Sequence, residues 1–306
     1  SGHVLYDSIE LDAFDSISGS PMILERVKQF LNQGLSASAI NKFIECPRNF
    51  FFNYLLRPNE SEKVEENIES STYGTVVHEV LEKLYKVEGD LITIEVLDDM
   101  LKTFENVLDV QFKSVFPSEN FKSGKNLLQY ETAKYSIQQF LKSEKQFVKE
   151  NGVIKILGLE KTFKKEVVCQ TASGEVTVLL KGNIDRIDLV GNTIRIIDYK
   201  TGKVSGDLVL NNRLDKMYSQ AMQLLVYQYL YEGNEDGKEV VSGILSMKDI
   251  KAGLQVLKEN KKDTEGMRGL SIELKESFEA FIANFVHDLQ NSNYAHNTSS
   301  QYCSLC

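Results

Sequence analysis

One hairpin near the middle of the chain constrains the fold more than any other segment. Gly191-Asn192 separates two runs rich in Ile, Val and Leu, and this dipeptide is typical of a two-residue β-turn in which Gly supplies a positive φ. If Val190 faces Thr193, opposed residues have numbers that add to the same total, and Asp185 then lies directly across from Asp198. The hairpin therefore predicts two carboxylates on one face of a sheet.

Two opposed carboxylates repel each other, so this pair needs a compensating positive charge. Opposed residues of an antiparallel pair hold their Cβ atoms about 4.5–5.5 Å apart, and like charges at that separation are destabilising. A divalent cation such as Mg²⁺ compensates for them, because hard cations bind carboxylate oxygens. Lys200 follows Asp198 by two residues and points to the same face, since strand side chains alternate. These residue types predict a metal-dependent site that cleaves phosphodiesters.

An exposed hairpin with solvated charges is the alternative interpretation. Ile194, Ile196 and Ile197 argue against it, because they place apolar side chains on both faces of the second strand. That pattern is typical of a strand buried inside a sheet.

Composition excludes few functions. The chain has 306 residues, of which 42% are hydrophobic and 26% charged, as in ordinary globular proteins. No apolar run in the sequence approaches the roughly 20 residues of a membrane span. We therefore expect a cytoplasmic protein. A net charge of −9 argues against strong binding to nucleic acid through a basic surface. It does not exclude phosphodiester cleavage, because carboxylates that bind metal are themselves acidic.

The apolar periodicity predicts an α+β chain with a largely helical N-terminal half and a central mixed β-sheet flanked by helices. Helices are predicted over residues 22–31, from 36 or 38 to a break at Pro47, from 74, and over 94–116, 127–150, 216–231 and 272–289. Strands are predicted over residues 153–168, 176–190, 193–200 and 240–247. Polar segments 59–71 and 260–269 are predicted to be loops.

The sequence around the hairpin resembles a known family. Gly182-x-x-Asp185-Arg186-x-Asp188 and Asp198-Tyr199-Lys200-Thr201-Gly202 look like the paired signatures of the PD-(D/E)XK nuclease superfamily, and most of all like the nuclease domains of RecB, AddB and Cas4 proteins. Further motifs follow in the family's order, from about residue 36 to residue 306. The resemblance implies a restriction-endonuclease-like core and a metal-dependent DNA nuclease, an exonuclease acting in DNA repair and recombination.

The resemblance also assigns metal ligands outside the hairpin. His78, in Gly74-Thr75-Val76-Val77-His78, matches a helical His that binds metal in the family; spacing alone favours a satisfied histidine beside the core. Glu160 matches an acidic residue of the preceding strand and is either a supporting metal or water ligand or a solvated charge. With Asp185, Asp198 and the Tyr199 carbonyl, these residues are expected to bind one or two Mg²⁺ or Mn²⁺ ions.

Gln223 and Tyr227 resemble the family's Gln-x-x-x-Tyr helix, which implies that they position DNA or support Lys200. Their i, i+4 spacing puts both side chains on one helix face, but spacing alone favours a partly buried helix with a polar rim. Arg186 and Asp188 are placed on the face of the strand opposite to Asp185 and are predicted to form structural ion pairs.

Cysteines near both ends of the chain resemble cluster ligands. Cys46-Pro47 and Cys303-x-x-Cys306 match part of a pattern in which one early and three late cysteines hold a [4Fe–4S] cluster. The fourth ligand is expected beyond Cys306, so a cluster is predicted for the natural protein but absent or incomplete in the chain as given. The alternative is that Cys46 is a small buried residue and the late pair lies in a frayed tail.

The resemblance implies an N-terminal helical extension over residues 1–35 and a nuclease domain over 36–306, with a helical part over about 36–150 and a catalytic sheet core over about 151–290. It also implies DNA as a partner, as single strands or duplex ends, and a separate or fused helicase.

Two other functions stay open at this point. One is a noncatalytic module that binds DNA ends or docks a helicase, and the other is an enzyme acting on a different phosphodiester or a small phosphate. The intact set of Asp185, Asp198 and Lys200 favours a nuclease over a noncatalytic module, which need not retain it.

Overall fold

The computed structural model describes residues 20–56, 70–87, 90–115, 123–171, 174–204, 207–210, 214, 219–234, 236–295 and 297. The chain divides into two compact units. The first unit comprises residues 1–60, 164–181 and 272–306, and the second comprises residues 61–163 and 182–271. The sequence-based boundary near residue 35 stays a prediction.

The first unit contains the predicted N-terminal helices. They are α1 (Pro21–Gln33) and α2 (Ala37–Glu45). They are followed by α3 (Pro47–Phe50) and a π-helical turn over Phe51–Leu56, neither of which was predicted. The Ser20 and Ser36 hydroxyls accept hydrogen bonds from the first turns of α1 and α2, as capping side chains do. The break at Pro47 is confirmed, since α2 ends at Glu45, Cys46 is its C-cap, and Pro47 begins α3.

Aromatic side chains form much of the core of the first unit. The Phe43 ring packs edge-on against Phe50 and Phe285, with centroids 5.4 Å and 5.3 Å away, and Phe50 meets Phe30 at 5.3 Å. Phe285 belongs to the last helix, which spans Ile272–Asn291 and confirms the helix predicted over 272–289. Edge-on pairs of this kind add a modest stabilisation to the burial of apolar surface.

The second unit holds the long helices, here named α4 (Ser70–Tyr85), α5 (Ile94–Val115), α6 (Gly124–Asn151) and α7 (Ser219–Tyr231); the last helix of the chain is α8. The predicted helices are confirmed where they can be compared. Most of the loop predicted over 59–71 lies outside the described residues. Its last two residues, 70 and 71, belong to α4. Among the residues described, no helix combines the length and apolar composition needed to cross a bilayer.

Six strands form one mixed sheet in chain order: β1 (Leu91–Ile92), β2 (Ile154–Thr171), β3 (Gly174–Val190), β4 (Thr193–Lys200), β5 (Glu239–Ser246) and β6 (Leu254–Val256). β4 pairs with β5 in parallel, while β3 and β4 are antiparallel. The predicted α+β class and mixed sheet are confirmed. β1 and β6 were not predicted, because two or three residues are too few to show an alternating pattern.

The predicted hairpin register is confirmed. Val190 pairs with Thr193 across the turn, and the ladder continues to Arg186 opposite Ile197. Gly191 has a φ of 58°, the left-handed conformation that the turn requires. Asp185 and Asp198 follow immediately after the last pair, on the same face of the two strands.

Both faces of the hairpin are covered, so the exposed-hairpin interpretation is wrong. Ile197 and Tyr199 pack into a hydrophobic cluster with side chains of α4, α5 and α6. On the other face, Ile194 and Ile196 pack with Tyr227 and Tyr231 of α7. Apolar side chains on both faces are what a central strand needs.

The predicted structural ion pairs lie fully buried beneath the hairpin. Arg186 Nε is 2.6 Å from Asp188 Oδ2, and its Nη1 is 2.8 Å from Glu144 Oε2. Arg195 Nε approaches Asp188 Oδ1 at 2.7 Å. A buried charge that loses its partner is strongly destabilising, so these groups depend on one another.

We expect Asp188→Asn to lower the free energy of unfolding by about 3–5 kcal/mol, because it leaves two buried guanidinium groups without their shared carboxylate. Glu239→Gln is the matched control: it removes the same charge from a surface pair with Arg268, which contributes at most about 1 kcal/mol. Urea unfolding followed by circular dichroism measures both, since the chain has no Trp. Equal losses of stability in the two variants would contradict this account of the network.

Candidate metal centre

Three side chains converge at the hairpin from three different elements. His78 of α4, Glu160 of β2 and Asp185 of β3 each offer a ligand atom, and these atoms all lie within 4.8 Å of one another. His78 Nδ1 is 3.5 Å from Asp185 Oδ2 and 4.0 Å from Glu160 Oε1. One imidazole nitrogen and two carboxylates form a donor set that suits Mg²⁺ or Mn²⁺.

The orientation of His78 prepares its Nδ1 atom for a cation. His78 Nε2 lies 3.0 Å from the carbonyl oxygen of Tyr199. A carbonyl oxygen only accepts, so Nε2 carries a proton and donates it. In neutral His78 the lone pair then sits on Nδ1, facing Asp185 and Glu160. Such a contact is favourable only if a proton or a metal ion occupies the space between them.

Asp198 reaches the site from β4 and lies outside that group of three. Its side chain is almost fully buried. Gln223 Nε2 donates to Asp198 Oδ1 at 2.9 Å, and Lys200 Nζ lies 2.8 Å from Asp198 Oδ2. Lys200, Asp198 and Asp185 thus lie at the same end of the hairpin, as the sequence predicted.

The pKa values of the site reflect burial first and neighbouring negative charge second. Burial and the charge of Asp185 raise the pKa of Asp198, although Lys200 opposes the shift. Burial and Asp185 also raise the pKa of Glu160. Burial lowers the pKa of His78, but the hydrogen bond and charge of Asp185 outweigh burial, and the net pKa is raised. Each shift favours added positive charge, as a proton or a cation, among these groups.

Gln223 links Lys200 to Tyr227. Its Oε1 accepts from Lys200 Nζ at 3.1 Å, and its Nε2 donates to the Tyr227 hydroxyl at 2.7 Å as well as to Asp198. Gln223 therefore meets Lys200 and Asp198, and Tyr227 meets Gln223. The contacts fix the Lys200 ammonium beside Asp198, while Tyr227 itself is buried.

Tyr199 meets the site through its main chain, and its ring also packs edge-on against the His78 ring, with centroids 6.0 Å apart. Its backbone N–H donates to Asp185 Oδ2 at 2.7 Å, and its carbonyl accepts from His78. The sequence singled out the carbonyl as a metal ligand, and that role stays a prediction. In the structure, the Tyr199 peptide orients two of the three clustered side chains.

Asn183 is a site residue that the sequence reasoning missed. Its side-chain amide donates to Glu160 Oε2, and its Oδ1 accepts from the Thr162 hydroxyl at 3.2 Å. Asn183 precedes Asp185 by two residues, so strand alternation places it on the same face and was the available signal.

Glu160 has a backbone conformation that is unusual for its residue type. Its φ is 45°, in the left-handed region that non-Gly residues rarely adopt. Strained residues of this kind are concentrated at functional sites. Here the strain occurs at one of the three clustered donors.

Only part of the predicted cluster site can be compared with the structure. Cys46 is buried, and its Sγ accepts from the backbone N–H of Asn49 at 3.4 Å. Asn297 Nδ2 donates to the carbonyl of Glu45 at 2.9 Å, next to Cys46. Cys303 and Cys306 lie outside the described residues. The [4Fe–4S] cluster therefore stays a prediction.

Comparisons with known proteins agree with the geometry. A family profile described as the PD-(D/E)XK nuclease superfamily matches residues 34–306. Similar curated proteins are named as subunits of an ATP-dependent helicase/deoxyribonuclease: the one from Alkaliphilus oremlandii is 28% identical over 63% of this chain and 17% of its own length. The one from Clostridium tetani is 29% identical over 69% of this chain and 19% of its own. The chain thus spans less than a fifth of these relatives.

We expect Glu160→Gly to be about 1 kcal/mol more stable than Glu160→Ala, because left-handed backbone costs a non-Gly residue about 1–2 kcal/mol, partly offset by the entropy of Gly in the unfolded chain. Both variants remove the same carboxylate, so their difference isolates the backbone conformation. Urea unfolding of the two variants gives this difference. A Gly variant that is less stable than the Ala variant would show that the backbone here is not strained.

Proposed function

Because the chain belongs to the PD-(D/E)XK nuclease superfamily, we propose that it is a metal-dependent deoxyribonuclease that hydrolyses phosphodiester bonds. The observation that carries the proposal is the meeting of Asp185 and Asp198 with His78, Glu160 and Lys200 at one end of a buried hairpin. This set offers ligands for a cation and a fixed positive charge beside them.

His78, Glu160, Asp185 and Asp198 would hold Mg²⁺ or Mn²⁺. The donor set fits such an ion, because the His78 lone pair and the carboxylate oxygens point toward one another. When bound, such a cation would supply Lewis-acid chemistry, polarising a phosphoryl oxygen and lowering the pKa of a water molecule.

The chain's own residues would position and stabilise the reacting phosphate. Lys200 is about a third exposed at its side chain, so its ammonium can reach a phosphate oxygen and stabilise the charge that develops there. Gln223 keeps that ammonium in place, and the Tyr227 hydroxyl keeps Gln223 in place. Holding a charged group in position before the reaction avoids reorganisation in the transition state.

The proposal extends to substrate and partner. We propose DNA as the substrate, taken as single strands or at duplex ends by an exonuclease in repair and recombination, in the cytoplasm. The helicase/deoxyribonuclease name of the curated relatives supports this substrate and a helicase partner. A chain of net charge −9 attracts DNA weakly by itself, so delivery of the strand by a partner suits it.

A [4Fe–4S] cluster held by Cys46, Cys303, Cys306 and a further ligand is proposed for the natural protein. The hydrogen bond from Asn297 to the Glu45 carbonyl supports it, because it places Asn297 against the residue that precedes Cys46. Thiolates are the usual ligands of such clusters.

We expect Lys200→Met to lower DNA cleavage by about 10²–10³-fold, since loss of one preorganised group that stabilises developing charge has about this effect. Lys102→Met is the matched control: Lys102 is an exposed lysine of α5 paired with Asp99, and its loss should leave the rate unchanged. Release of nucleotides from labelled single-stranded and duplex DNA in Mg²⁺ measures both.

Equal cleavage by wild type and Lys200→Met would reject this mechanism. A wild-type protein that binds DNA ends tightly but never cuts them, with Mg²⁺ or Mn²⁺, would favour the noncatalytic module.

Mn²⁺ should stabilise the folded protein by about 2.7 kcal/mol at a concentration 100 times its dissociation constant, because the ion binds only the folded site. Asp185→Asn should lose most of this effect, since it removes one of the clustered carboxylates. Thermal unfolding with and without Mn²⁺ measures the shift. A wild-type melting temperature that does not respond to Mn²⁺ would contradict the metal centre.

A further inference from the structure

We propose that Arg186 is a positioning residue for the candidate metal centre and that it acts through Tyr199. The inference rests on the proposed function, because it concerns how His78 and Asp185 are oriented toward a cation. Arg186 is fully buried and alternates with Asp185 along β3, so it lies on the opposite face of the strand from the site. It therefore acts on the site through another residue.

The Tyr199 peptide connects the two faces of the hairpin. Its N–H donates to Asp185 Oδ2 at 2.7 Å, and its carbonyl accepts from His78 Nε2 at 3.0 Å. A small rotation of this peptide would move both side chains. It would also break the hydrogen bond from His78 Nε2–H to the Tyr199 carbonyl, which keeps the Nδ1 lone pair directed at the carboxylates.

The Tyr199 side chain is held on the opposite face. Arg186 Nη1 donates to the Tyr199 hydroxyl at 3.1 Å. The Tyr199 ring meets Phe140 edge-on, with centroids 5.7 Å apart, and is itself buried. Arg186 therefore fixes the end of a side chain whose backbone contacts His78 and Asp185 and whose ring packs edge-on against the His78 ring, with centroids 6.0 Å apart.

Arg186 is in turn held from three directions. Glu144 and Asp188 accept from its guanidinium, and the guanidinium carbon lies 4.3 Å from the centroid of the Tyr85 ring. Charge balance alone explains the two carboxylates. The Tyr199 contact adds no charge balance, and what it adds is a fixed position for the Tyr199 side chain.

Groups that orient metal ligands have a measurable effect on metal binding. Loss of such a partner typically weakens metal affinity by about 10–100-fold, even though the partner never contacts the metal. A residue that only stabilises the fold would lower the melting temperature and leave the affinity of the folded protein unchanged. The two roles are therefore separable by experiment.

Tyr199→Phe tests the inference because it removes only the hydroxyl that Arg186 contacts. Tyr85→Phe is the matched control: it removes a buried hydroxyl of the same network, one that donates to Glu144 at 2.9 Å. We expect Tyr199→Phe to raise the Mn²⁺ dissociation constant, measured by calorimetry, about 10-fold or more, and Tyr85→Phe to leave it within about two-fold.

Two further measurements separate positioning from folding. Arg186→Lys should also weaken Mn²⁺ binding. Adding Tyr199→Phe to that variant should weaken binding little further, because both substitutions break the same Arg186–Tyr199 hydrogen bond. In the metal-free protein, the ¹⁵N resonances of the His78 ring should shift in Tyr199→Phe and not in Tyr85→Phe. The chain has four His, so the assignment is direct.

Equal Mn²⁺ affinities and unchanged His78 resonances in the two Phe variants, with wild type binding Mn²⁺ through Asp185, would overturn the positioning role alone. A wild-type protein that binds no Mn²⁺, or binds it equally after Asp185→Asn, would overturn the proposed function and this inference with it.

Discussion

The rest of the site depends on the meeting of two acidic side chains, Asp185 and Asp198, on one face of a hairpin buried on both sides. The register places them together, and the covering helices remove most of the water that would otherwise screen their repulsion. Lys200 offsets part of the charge, but burial and the charge of Asp185 still raise the pKa of Asp198. A divalent cation is the simplest group that would neutralise what is left.

The two faces of the hairpin have different tasks. One face carries the candidate ligands, whereas the other carries a closed set of ion pairs among Arg186, Asp188, Arg195 and Glu144. Tyr199 belongs to both, through its peptide on one side and its ring on the other. Contacts on one face thus hold groups on the other in position, which suits the proposed reaction because it depends on fixed charges.

The sequence pattern predicted the features that neighbouring residues determine, such as the turn and the register of the hairpin. The Gly191-Asn192 turn sets the register, so the meeting of Asp185 and Asp198 on one face could be predicted from the sequence alone. The convergence of His78 and Glu160 could not, since it joins elements far apart in the chain, and only the family resemblance suggested it. The left-handed backbone of Glu160 and the partnership of Glu144 with Arg186 left no pattern strong enough to predict, because each is a consequence of tertiary packing. Strand alternation placed Asn183 on the face of Asp185, but its contact with Glu160 depends on the neighbouring strand.

Anomalous scattering from crystals soaked in Mn²⁺ tests the central claim most directly. The account predicts a peak within bonding distance of an Asp185 carboxylate oxygen and His78 Nδ1. Asp198 and Glu160 are expected to bind the same ion or to lie next to its ligands. Crystals that show no peak there at saturating Mn²⁺, while the two hairpin carboxylates stay close together, would contradict it.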